Sequence, residues 1–93
     1  MPKYYQFKVA NHYLYFTSKC VIECFHVHAS DRQLTETGSA KLFVKADGDT
    51  VIQNQGKVTD IEMRKIRAFI KERYREMYLV WAEYSREGFY RGE

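Results

Sequence analysis

Polar and apolar positions alternate through the first half of the chain, and the period then changes. Over residues 4–9, Tyr5, Phe7 and Val9 stand against Tyr4, Gln6 and Lys8. Over 13–17, Leu14 and Phe16 stand against Tyr13, Tyr15 and Thr17. A period of two over such lengths predicts half-buried strands. Ala10-Asn11-His12 predicts the turn between them, with Asn11 in the left-handed region, so the two segments read as a hairpin. A third strand is expected over 21–29, a polar loop over 30–38, and a fourth strand over 39–46 with Leu42, Val44 and Ala46 opposed to Lys41, Phe43 and Lys45. Asp47-Gly48 is a strong hairpin signal, and a fifth strand returns over 50–53.

From residue 59 the pattern becomes helical. Thr59 with Glu62 three residues on forms a capping box, and Asp60 adds negative charge to the first turn. No Gly or Pro interrupts 60–87, and Gly88 predicts the stop. Ile66, Phe69, Ile70, Met77, Val80 and Tyr84 form one stripe at 100° per residue, flanked by Met63 and Trp81. Arg73 falls inside the stripe, where its stem can pack while its head reaches water or a carboxylate. The expected architecture is α+β: a single domain with a mostly antiparallel sheet of about five strands over 4–54. One long helix over 59–87 lies on one sheet face, with a short tail over 88–93. A helix of that length, about 42 Å, outruns strands of about 17–27 Å. Its second half, with Met77, Trp81 and Tyr84, is therefore expected to overhang the sheet as an interface, unless the helix breaks or Phe89 and Tyr90 fold back over it.

Composition sharpens little. With 93 residues, 45% hydrophobic and 29% charged, the chain is globular, and its net charge of +3 is too small to diagnose nucleic acid. No apolar run resembles a signal peptide or a membrane span, so no membrane association and a cytoplasmic location are expected. Cys20 and Cys24 are too far apart on one extended strand to bridge, about 13 Å, and reduced thiols fit better.

Chemistry centres on His26-Val27-His28. Alternation places Phe25, Val27 and Ala29 toward the helix and Cys24, His26 and His28 on the opposite face. Two imidazoles about 6.6 Å apart can share a metal such as zinc, but a catalytic zinc takes three protein ligands. His12, Asp31, Asp47 or Asp49 would have to supply the third, so no cofactor is expected. The same outer face is expected to carry Tyr4, Lys8, Tyr13, Tyr15, Lys41, Phe43 and Lys45. Aromatics interleaved with cations can stack and neutralise single-stranded nucleic acid, as could the helical stripe of Arg64, Arg67, Lys71 and Arg75. An aromatic sheet face equally suits a protein interface, here involving Tyr13 and Tyr15 beside His26, His28, Lys41, Phe43 and Lys45. No Gly-rich phosphate loop, serine nucleophile motif or suitable carboxylate pair is present, so the balance leans away from an enzyme.

His26-Val27-His28 after a hairpin, Ala40-Lys41-Leu42 on the next strand, and a single helix ending in Trp81-Ala82-Glu83-Tyr84 together resemble the bacterial domain-of-unknown-function family 4160. The resemblance spans roughly residues 4–84. It departs where Cys24-Phe25 stand in place of the family's proline before HVH. It implies a small cytosolic bacterial protein with no established activity, encoded beside another small domain and belonging to a toxin–antitoxin-like pair. The expected function is a non-enzymatic protein-interaction module acting as a homo-oligomer or with a neighbouring small protein. Nucleic-acid binding and metal-dependent hydrolysis, the latter a nuclease in one form, are the alternatives.

Overall fold

A computed structural model describes residues 3–17, 22–31 and 39–91. Four strands form one antiparallel sheet in chain order: β1 (Tyr13–Tyr15), β2 (His26–Ser30), β3 (Ala40–Val44) and β4 (Thr50–Asn54). One helix, α1 (Asp60–Ala82), follows. The α+β architecture is as expected, but the sheet has four strands rather than five.

The expected first strand is lost to a mismatch in residue number. The turn forms as read: Val9 and His12 exchange both backbone hydrogen bonds around Ala10 and Asn11, whose φ values are 49° and 68°. Lys3 pairs with Tyr15 and Val9 with His12. Six steps of chain on one side therefore face three on the other, and the surplus leaves the ladder. It carries Tyr5 and Phe7 onto Phe69 of the helix, with ring centroids 5.3 and 6.1 Å away. Tyr5 donates its phenol to Glu76 at 2.7 Å. Tyr4, expected on the outer face, is buried in the core against Phe16 and Phe25.

The register sorts the two sheet faces. Leu14, Val27, Ala29, Ala40, Leu42 and Val44 share one face and pack with Met63, Ile66, Ile70, Met77 and Trp81 of α1. Tyr15, His26, His28, Lys41 and Phe43 share the other. The β3–β4 turn is closed by Lys45 and Asp49 around Gly48, with φ 89°. The helix starts where the sequence placed it: Thr59 and Glu62 complete the capping box.

The helix ends at Ala82, not Glu87. No basic residue stands in its last turn to complement the negative end of the helix dipole. The chain turns through Glu83 and Tyr84 and comes back. Trp81 donates its indole N–H to the Glu87 carbonyl, and Phe25 donates to the Gly88 carbonyl. Tyr90 donates to the Val44 carbonyl. Phe89 stacks on Tyr78 and Tyr90 on Phe43, at 4.2 and 4.4 Å. The returning tail thus covers Tyr78 and bonds Trp81, while Tyr84 at the helix end stays exposed.

Candidate functional site

The histidine pair sits on the predicted face, but that face is closed. His26 is 0% exposed and His28 2%. Their rings are nearly perpendicular, with centroids 5.1 Å apart. His26 Nδ1 lies 2.8 Å from the Cys24 carbonyl. A carbonyl can only accept, so the ring carries its proton there. His28 Nδ1 bonds Ser39 Oγ at 3.0 Å, and its ring stacks on Tyr15 at 5.7 Å. Lys41 bridges to both oxygens of Glu23 at 2.8 and 3.0 Å, which holds the Glu23 carboxyl below its ordinary range.

Among the described residues, no three His, Cys, Asp or Glu side chains gather as metal ligands. His12 bonds Glu62 at 3.1 Å, and Asp49 bonds Lys71. Asp47 caps the β3–β4 turn through the Asp49 N–H, and Asp31 is exposed. None of the four expected third ligands joins the imidazoles. Cys24 is a free thiol, which burial pushes toward higher pKa; Cys20 lies outside the described residues.

The expected interface residues also change character. Met77, Trp81 and Tyr15 are 0% exposed and offer no surface to a partner. Tyr84 is exposed and edge-on to Phe16. Tyr13 lies beneath the ammonium groups of Lys3 and Lys8, at 4.3 and 5.3 Å. Phe43 is occupied by Tyr90, and Lys45 bridges to Tyr90 through the backbone. Arg73 lays its guanidinium over Phe69 at 5.2 Å.

Of the basic stripe, Arg64, Arg67 and Lys71 come together, and Arg75 turns away to Tyr74. The three line a cleft of about 420 Å³ between α1 and β4, with Ile52, Met63 and Ala68 as its apolar wall. Arg67 bonds the Thr50 hydroxyl at 2.7 Å and the Thr50 carbonyl at 3.2 Å. Lys71 bonds Asp49 at 2.7 Å and the Asp47 carbonyl at 2.9 Å, which lowers the Asp49 pKa. Arg64 is exposed and makes no ion pair among the described residues.

This cleft runs along an open sheet edge. At the far side, β1 is capped: Lys3 pairs with Tyr15, and Tyr4 donates to the Leu14 carbonyl. No described residue pairs with the outer side of β4. Val44 donates to Phe25 and accepts from Tyr90, so the antiparallel alternation turns Phe43 toward its partner Val51 and leaves the main chain of Thr50 and Ile52 facing outward. Sequence reasoning found the cations but not the edge beside them. The one readable signal was the absence of charge and proline from Thr50 to Asn54, since natural edges usually carry such guards.

No family model matches the chain, nor does any curated protein or solved structure. Fold and site define an α+β domain with, among the described residues, one capped and one open sheet edge. No helix of the described residues is long and apolar enough to cross a membrane.

Proposed function

We propose that this chain is a non-enzymatic protein-interaction module that docks its partner on the outer edge of β4 and in the adjoining cleft. The observation that carries this reading is the asymmetry of the edges: β1 is capped, whereas β4 is uncharged and meets no strand on its outer side among the described residues, with Arg67 on the Thr50 carbonyl and Ile52 left facing outward. An open edge is a ready template for another chain. The resemblance to family 4160 supports a small neighbouring protein, in a toxin–antitoxin-like pair, as that partner.

The test is co-expression with the product of the adjacent reading frame. Wild type retains that product through purification, and Ile52→Pro loses it at an unchanged melting temperature. The substitution removes an outward N–H that the β3–β4 ladder does not use. A chain that sediments alone as a monomer in the presence of that product overturns the reading.

Nucleic-acid binding has one observation in its favour, the gathering of Arg64, Arg67 and Lys71 in one cleft. It requires affinity that falls steeply with salt. The aromatic platform it would use for stacking is buried at Tyr15 and occupied at Phe43, so the protein reading stands ahead of it.

A further inference from the structure

The occupant of the edge can be narrowed by charge. Asp49 is already bound to Lys71, and Asp60 stands in the first turn of α1, where it offsets the positive end of the helix dipole. Arg64 makes no ion pair among the described residues, and Arg67, bound to Thr50, shares only the distant pull of Asp49, so the cleft keeps an excess of positive charge beside the edge. A second copy of the chain paired symmetrically on β4 would bring its own Arg64 and Arg67 against these, and like charges so placed oppose pairing. A nucleic acid would satisfy the cations but not the outward main chain of Ile52 or the apolar wall of Ile52, Met63 and Ala68.

We propose that the open edge of β4 accepts an extended acidic segment of another protein as a fifth strand, with a carboxylate seated between Arg64 and Arg67. This rests on the edge-docking reading above. The pattern follows from strand geometry. The residue opposite Ile52 exchanges main-chain hydrogen bonds with it and turns its side chain to the same face, into the cleft. An aliphatic side chain fits there. Residues two positions to either side point the same way, about 6.7 Å along the strand. Arg67 is fixed at Thr50, beside one of these positions, and Arg64 lies only about 4.5 Å back along the helix, so both cations serve a carboxylate on one side of the aliphatic residue. The recognised pattern is an aliphatic residue with an acidic one two positions away, and an acid on each side serves either strand direction.

The probe is a blocked peptide, Thr-Asp-Thr-Val-Thr-Asp-Thr, with a Lys-for-Asp version as its control. The acidic peptide binds the full chain and slows amide exchange at Ile52, and the lysine version does neither. Arg64→Glu weakens the acidic peptide roughly tenfold, as reversal of a pairing charge does at a partly desolvated site, and gains affinity for the lysine peptide. Because Arg64 is exposed and unpaired among the described residues, this variant leaves the fold intact, which its unfolding midpoint verifies. Equal binding of both peptides, or a concentration-dependent dimer dissolved by Ile52→Pro, overturns the acidic-strand proposal while leaving β4 as the docking edge. A monomer whose Ile52 exchange neither peptide changes, or a 12-base single strand that binds through Arg64 and leaves Ile52 exchange unaltered, overturns both.

Discussion

Gly48 carries two constraints at once. Its φ of 89° lies where side chains are strained, and a Cβ there would stand 2.5 Å from the Tyr74 ring. Gly48→Ala is therefore expected to lower stability by roughly 1–3 kcal/mol, measurable by urea unfolding. Ala10 has the opposite defect, a side chain held at φ 49°. Ala10→Gly should raise stability by about 0.5–1 kcal/mol, the left-handed cost relieved less the added chain entropy. Glu62 accepts from the Thr59 N–H, His12 and Asn11, and the Thr59 bond leads in lowering its pKa from 4.5 to about 2. A depressed carboxylate stabilises the fold fully above its unfolded-state pKa, and that contribution is lost as pH falls through the folded-state value. Glu62→Gln should thus be less stable than wild type at neutral pH, with the gap closing between 4.5 and about 2. Unfolding curves at several pH values in that window check it.

At the scale of elements, the returning tail is the device that finishes the core. Tyr90 covers Phe43, and its N–H holds Val44. Tyr90→Ala should cost about 1–3 kcal/mol, from lost burial of an aromatic and the stacking beyond it, with the helix content by circular dichroism unchanged. Local signals in the sequence marked what local forces decide: the capping box at Thr59, the turn at Asn11 and the tight turn at Gly48. Of the misread boundaries, those of the first strand and of the helix end depend on distant contacts; the third strand, expected over 21–29, runs over His26–Ser30. Alternation over 4–9 could not reveal that six steps of chain would face three, nor that Phe69 would draw Tyr5 and Phe7 out of the ladder. The helix pattern ran on to Glu87 because its stop is set by Trp81 reaching the Glu87 carbonyl and by Phe25 reaching Gly88.

For the whole molecule, the strand period assigned His26 and His28 to the right face but not to the right environment, because what covers a sheet face is not a property of the strand. The same limit hid the site. The stripe of Arg64, Arg67 and Lys71 was legible at helical spacing, while its neighbour across the cleft, the bare edge of β4, emerges only from strand order.

The stitching of the tail into the sheet also bears on when the fold can form. The Phe25 N–H and the Val44 carbonyl find their backbone partners at Gly88 and Tyr90, and Tyr5 meets Glu76 across 71 positions. Pairings this distant slow folding, and the chain emerging from the ribosome cannot complete its core until Tyr90 has left the exit tunnel. The nascent sheet and helix therefore wait for that tail before they can close on one another. Arrested chains ending at Asn54 should be cleaved readily by protease, whereas released chains resist.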